Sequence, residues 1–306
     1  MMPPSSHSLA TPQGGRPPAA RRSRLCGGKL DRAVAVASVC LAAVSVHAQT
    51  TAPKGEIMGT AWEHTAASLA GVVQQADVVL PAAATGGAVF TGKFKDAPTS
   101  AKARVPVVLF LHGSSGLGLK AIGEWQQWLA AQGVASIAPD SFALPGRATY
   151  KSPIDSASYE RMHALRASEI APTLAALKAA PWADTAKLVL AGTSEGSVPV
   201  ARQGGNDFAA KIMFAWSCET NYFVQAPKNA FTAEQPVLNI ISNVDPFFSR
   251  SNSWLGNAEA VGHCGAALKG QPKAAVLLVP DAPHTLINFP AARHSVSGFL
   301  AAHGLR

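Results

Sequence analysis

The sequence predicts an α/β fold: a mostly parallel central sheet with helices on both faces, in a single domain. Three observations carry that expectation. Runs apolar at nearly every position, such as VPVVLFLHG (105–113), KLVLAG (187–192), PVLNIIS (236–242) and AAVLLVP (274–280), read as strands buried on both faces. Helical patterns separate them, and strand–helix alternation favours parallel pairing through crossovers. Of the 306 residues 48% are hydrophobic and 14% charged, which suits one large core and excludes a disordered chain.

Residues 1–48 are expected to be an N-terminal extension with a signal peptide. Arg21, Arg22, Arg24, Lys29 and Arg32 precede the apolar run 33–46, and Val46-His47-Ala48 places small residues at −3 and −1 of a cut before Gln49. At 14 residues the run is too short for an ordinary spanning helix. Secretion or periplasmic export follows, with no membrane anchor after cleavage. The leader also accounts for most of the formal charge of +8: it holds six Lys/Arg and one acid, leaving 20 basic and 17 acidic residues. Without a basic stripe, nucleic acid is excluded as a partner. Two of the four cysteines leave with the leader, and the remaining pair, Cys218 and Cys264, is expected to form a disulfide. No CxxC spacing occurs and no metal site is expected.

Residues 49–75 read as a lead-in with a short helix, and 76–306 as the main domain. Within it, 76–97 predict two strands with a turn at Gly86-Gly87, and the polar run DAPTSAKAR (96–104) predicts a hairpin loop. The strand 105–113 is followed by a helix over 121–133, with Ile122, Trp125, Trp128 and Leu129 on one face and Gly133 closing it. VASIAPD (134–140) is a strand, 141–158 a loop, and 159–180 one long amphipathic helix. After the strand 187–192, Pro199 falls in the first turn of the next helix. KIMFAWS (211–217) and the strands at 236 and 274 complete the series.

Gly192-Thr193-Ser194-Glu195-Gly196 places a serine in a G-x-S-x-G between a strand and a helix. There glycines permit a turn too sharp for side chains, and the serine projects from the sheet edge as a nucleophile. A serine hydroxyl needs a base and an acid that orients it. Asp245 and His284 follow in the order the motif requires, each just past a strand end, where parallel sheets place their sites. Asp281 competes with Asp245 but reads as a turn acid. His263, His294 and His303 lack the post-strand position. The strand ending in His112-Gly113-Ser114-Ser115-Gly116 offers an anion-binding corner, with the N–H of Ser114 favoured over Ser115 and the N–H of Glu195 as second donor. His112 is expected to shape this loop by hydrogen bonding, and the Glu195 side chain to be a first-turn acid favoured by the helix dipole.

Together HGSSG (112–116), APDSF (138–142), GTSEG (192–196) and the Asp245 and His284 loops resemble the α/β-hydrolase superfamily, and within it the dienelactone hydrolase-like family, over roughly residues 76–303. One departure stands out: strict dienelactone hydrolases carry a cysteine nucleophile, and this chain has Ser194. The resemblance implies the α/β-hydrolase fold and, with serine, hydrolysis of small-molecule carboxylic esters without a cofactor. Ser115, Trp216, Tyr222 and Phe247 are candidates to line the substrate pocket beneath loop 141–158. A lactone hydrolase, a peptidase resembling the prolyl oligopeptidase catalytic domain, and a non-catalytic binding protein are the alternatives.

Overall fold

A computed structural model describes residues 53–306; the leader and its cleavage point at Ala48-Gln49 lie outside the described residues. The chain runs through β1 (Glu56–Met58), α1 (Ala66–Gln74), β2 (Asp77–Leu80), α2 (Ala82–Thr85), β3 (Phe90–Lys93) and β4 (Val105–Leu111). Then come α3 (Lys120–Ala131), β5 (Ala135–Ala138), β6 (Thr149–Lys151), α4 (Ser156–Ser168), α5 (Ile170–Ala179) and β7 (Ala183–Thr193). The last elements are α6 (Ser197–Arg202), β8 (Ala210–Phe214), β9 (Val237–Ser242), β10 (Ala274–Val279) and α7 (Pro290–Ala302).

Eight strands form one sheet in the order β10-β9-β8-β7-β4-β5-β2-β3. The six from β10 to β5 are parallel, and β2 runs antiparallel to both β5 and β3. β4 shows why its sequence is apolar throughout. Val107, Leu109 and Leu111 pack into the core shared with α4, α5 and α6. The intervening Val108 and Phe110 pack on the other face, against Ile122, Trp125 and Leu129 of α3 and Val296 and Leu300 of α7. Since side chains alternate across a strand, a strand covered by helices on both faces needs apolar residues at both parities. The predicted sheet with helices on both faces is therefore observed.

Four local expectations are corrected. Residues 96–104 are not a hairpin loop: β3 sits at the sheet edge, and β5 and β2 lie between it and β4, so this segment crosses the sheet. The helix predicted over 159–180 is two helices. α4 begins earlier, where the Asp155 side chain caps it by accepting from the N–H of Ser158 (2.9 Å). It ends before α5 because Pro172 cannot donate to the carbonyl of Ser168 and its ring crowds that position. The strand predicted to reach residue 217 stops at Phe214, because Ala215 takes a positive φ of 51°. Finally, 141–158 is not loop throughout. Its β6 pairs antiparallel with β1 of the lead-in, Met58 facing Thr149 and Glu56 facing Lys151. The N–H groups of Thr60 and Ala61 add bonds of 2.9 Å to the carbonyl of Gly146. The lead-in is thus a strap over that segment as well as the carrier of the expected short helix α1.

Cys218 and Cys264 form the expected disulfide across 46 residues of sequence. Asp245 lies inside the closed loop. Among the described residues no helix is long and apolar enough to cross a membrane.

Loop-closure entropy assigns this crosslink about 4 kcal/mol. The double substitution Cys218→Ala/Cys264→Ala is expected to lower the denaturation free energy by a loss of that order, measured by chemical denaturation. A change below about 1 kcal/mol would show that the loop is held by its packing alone.

Candidate active site

The turn after β7 is built from close backbone approach. A Cβ on Gly192 would run into the carbonyl of Gly196, and one on Gly196 into the carbonyls of Leu111 and His112. Only glycine fits at either position, which brings the start of α6 down against the end of β4. The Ser197 hydroxyl fastens the turn, its one proton shared between the carbonyls of Gly192 (2.8 Å) and Phe214 (2.7 Å). Between the two glycines Ser194 is forced to φ 52°, a left-handed conformation that L-residues with side chains rarely adopt. Its side chain is partly exposed, while Glu195 and Gly196 are buried. Gly113 lies directly alongside: a Cβ there would stand 3.3 Å from Ser194 Cβ.

The loops after β9 and β10 bring Asp245 and His284 together. Asp245 is fully buried. One oxygen, Oδ1, accepts from the N–H groups of Phe247 (2.9 Å) and Phe248 (3.1 Å), which fixes the carboxylate in its own turn. The other, Oδ2, lies 2.7 Å from His284 Nδ1. A carboxylate only accepts, so Nδ1 donates to it and Nε2 is the ring nitrogen left without a partner. The Phe247 ring stands at 67° to the imidazole with centroids 4.7 Å apart and limits its tilt. No hydrogen bond joins Ser194 to His284 among the described residues; His284 bonds Asp245 alone, and catalytic hydrogen bonds commonly tighten only around substrate.

Below the turn lies a cluster that sequence reasoning missed. The Glu195 side chain is not a first-turn acid facing water; it is wholly buried. Arg147 Nη2 donates to its Oε1 at 2.7 Å, and Arg166 Nε lies 3.7 Å from the same oxygen. Arg147 is held in turn by the Ser141 hydroxyl (2.7 Å) and the carbonyl of Ala148 (3.0 Å), with its guanidinium over the Phe142 ring. Glu169, also buried, faces Arg166 at 3.5 Å and His64 at 3.2 Å. No local pattern could reveal these partners, because Arg147 and Arg166 lie 48 and 29 positions before Glu195 in sequence. The available signal was an acid set among small and apolar residues, which once buried must find a cation.

His112 shapes the neighbouring loop, as expected. It is fully buried; its Nδ1–H donates to the carbonyl of Gly113 (2.7 Å), and its Nε2 accepts from the N–H of Ser141 (3.2 Å) and from Arg166 Nη1 (2.9 Å). In a trans peptide the C=O and N–H point to opposite sides. With the Gly113 carbonyl drawn toward His112 and the Gly116 N–H (3.1 Å), the Ser114 N–H points away from the buried cluster. Ser114 and Ser115 are themselves exposed.

Of the pocket candidates, Phe247 is partly exposed beside His284, and Tyr222 is partly exposed between Phe248 and Trp254, its ring meeting Trp254 edge-on at 4.5 Å. Trp216 is fully buried in the core, which leaves it no surface for substrate. Among the described residues no group of three or more His, Cys, Asp or Glu side chains could hold a metal ion.

Strand order and the sharp turn after β7 decide the architecture. The fold is that of the α/β-hydrolases. No protein-family model matches the chain, and no curated protein does. Several solved structures are similar. Esterase PE8 is 19% identical with a TM-score of 0.46, over 67% of this chain and 96% of that one. A cold-adapted esterase from an Arctic intertidal metagenomic library is 15% identical, TM-score 0.48, over 70% and 87%. Est1E from Butyrivibrio proteoclasticus, in its ferulic acid complex, is 14% identical, TM-score 0.48, over 76% and 95%.

The buried environment of His112 makes a stability prediction. Burial, and then the positive charges of Arg166 and Arg147, hold its pKa well below the ordinary imidazole value, against the opposing bond to Gly113. The unfolded chain therefore takes up a proton near pH 6.5 that the folded chain refuses. The stabilisation is complete above that pH and is lost as pH falls below it, by at most about 1.4 kcal/mol per pH unit. Denaturation at pH 7.5 and 5.0 is expected to show a steeper loss in wild type than in His112→Asn. Equal losses would rule out His112 as a buried neutral group.

Proposed function

We propose that the protein is an exported serine hydrolase acting on small-molecule carboxylic esters. Ser194 attacks the carbonyl, His284 Nε2 takes its proton and returns it to the leaving alcohol, and Asp245 holds the imidazole in the working tautomer. The N–H groups of Ser114 and Glu195 receive the oxyanion. Water then repeats the sequence on the acyl-enzyme.

The observation that carries this reading is the 2.7 Å contact from Asp245 Oδ2 to His284 Nδ1. It leaves a basic nitrogen at the sheet edge that also presents Ser194 in its strained turn beside Gly113. The small-residue cleavage pattern expected at Ala48-Gln49 and the Cys218–Cys264 bridge support export, since disulfides persist in oxidising compartments. Of the resemblance to dienelactone hydrolases, the loop motifs carry over and the cysteine does not. An oxygen nucleophile relies fully on its base, whereas a cysteine thiol ionises far more readily.

Three measurements test the proposal. A fluorophosphonate probe is expected to label wild type at Ser194 and to leave Ser194→Ala unlabelled; an unlabelled wild type rejects the serine-hydrolase reading. Turnover of short-chain p-nitrophenyl esters should exceed that of aminoacyl anilides, and the reverse would make the enzyme a peptidase. Asp245→Asn, which retains the shape and loses the tautomer control, should reduce kcat by about 10⁴-fold. A loss under tenfold would remove Asp245 from the mechanism.

A further inference from the structure

The serine-hydrolase reading needs two backbone N–H groups at one fixed spacing, contributed by two different loops. The Ser114 amide belongs to the turn after β4, and the Glu195 amide to the turn after β7. β4 and β7 are neighbours in the sheet, with Leu111 opposite Gly192, but the ladder ends there. Beyond it the two peptides need another tie.

Arg166 meets both turns. From α4 its Nη1 donates to His112 Nε2 (2.9 Å) and its Nη2 to the carbonyl of His112 (3.2 Å), so it grips the ring and the main chain that precede the Gly113–Ser114 peptide. Its Nε makes no hydrogen bond but lies within ion-pair range of both carboxylates, 3.7 Å from Glu195 Oε1 and 3.5 Å from Glu169 Oε2. The side chain is fully buried. We propose that Arg166 is a positioning residue for the oxyanion site, its rigid guanidinium setting the spacing between the Gly113–Ser114 and Ser194–Glu195 peptides. This rests on the serine-hydrolase reading.

Charge and shape both fit this role. Two arginines, Arg147 and Arg166, face two carboxylates, Glu169 and Glu195, so the formal charges of these four side chains balance. A buried ion cluster is not an efficient way to gain stability, since well-packed apolar residues commonly do as well or better. A guanidinium does what they cannot: its five N–H donors lie in one plane at fixed angles and hold separate acceptors at a set distance. A lysine in the same place keeps the positive charge but, as a flexible point charge, does not reproduce the fork.

The test compares Arg166→Lys with wild type on p-nitrophenyl acetate, with active sites counted by fluorophosphonate end-point and folding checked by near-ultraviolet circular dichroism. Removing one oxyanion donor outright costs about 10²–10³-fold in kcat. Misplacing one is expected to lower kcat about 10- to 100-fold, with KM within about threefold of wild type. A trifluoromethyl ketone, whose adduct presents the oxyanion, should lose affinity by the same factor as kcat/KM. Full kcat in folded Arg166→Lys overturns the proposal, as does a loss residing in KM alone or a ketone affinity that stays unchanged. Should the lysine variant not fold, the charge-balanced Arg166→Met/Glu169→Gln is measured in the same way and decides by the same criteria. If neither variant folds, Arg166 is a folding residue and the proposal fails. A wild type that neither hydrolyses the ester nor takes the label overturns the hydrolase reading itself, a result distinct from an active wild type with a fully active Arg166→Lys.

Discussion

The contact between Glu195 and Arg147 is the interaction on which the site is built. A carboxylate immediately after Ser194 must lie either in water or in the core, and the closeness of Gly192 and Gly196 to neighbouring backbone sends it into the core. Once there it requires a cation, and the cation it finds comes from the segment between β5 and α4. That segment therefore cannot be a free loop. It is fixed by Arg147 from inside and by the β1 strap from outside, with Met58, Ile57 and Glu56 of β1 paired to β6. The unanticipated β1–β6 ribbon and the unanticipated ion cluster are two sides of one requirement.

Strain is concentrated where these supports act. Among the described residues, four of the five non-glycine residues with positive φ follow the carboxyl ends of β7, β8 and β10: Ser194, Ala215, Cys218 and Asp281. Each costs on the order of 1 kcal/mol relative to ordinary backbone. Such a set persists only when the surroundings over-determine it. Around Ser194 these are the Ser197 bonds to two carbonyls and the Glu195 ion pair; at Cys218 it is the disulfide; at Asp281 it is the bond from its own N–H to the Asn243 side chain.

How much of this was legible follows from the range of each interaction. The central parallel strands could be read because burial on both faces writes itself as local apolar runs; the run at 274–280 is a correction, since β10 lies at the sheet edge with Val276 and Leu278 exposed. Ser194, Asp245 and His284 could be singled out because each directly follows such a run, so one-dimensional position stands in for position on the sheet edge. The disulfide could be read from cysteine number once the leader pattern was taken as an export signal. What could not be read depends on partners far along the chain. β1 has three residues and no apolar pattern, so nothing marked it until it met β6. Arg147 and Arg166 look like ordinary surface cations until the fold encloses them. The break between α4 and α5 was written in Pro172, but the helical pattern on both sides obscured it.

The Asp245 and His284 side chains are held with unequal firmness, and that difference bears on the proposed mechanism. Asp245 is buried, is bonded by two amides of its own turn, and sits within the loop closed by Cys218–Cys264. His284 is partly exposed, and its ring is held by one hydrogen bond, to Asp245, and by aromatic contact with Phe247 and Phe248. In the proposed mechanism, a fixed acid with a laterally guided imidazole would let Nε2 reach the attacking hydroxyl and then the leaving alcohol while Nδ1 keeps its partner. Proton transfer in acyl exchange needs that motion in both directions. In that mechanism the turn that holds Ser194, anchored to β4 and β8, is the fixed part of the apparatus, and His284 is the side chain that serves two oxygens in succession.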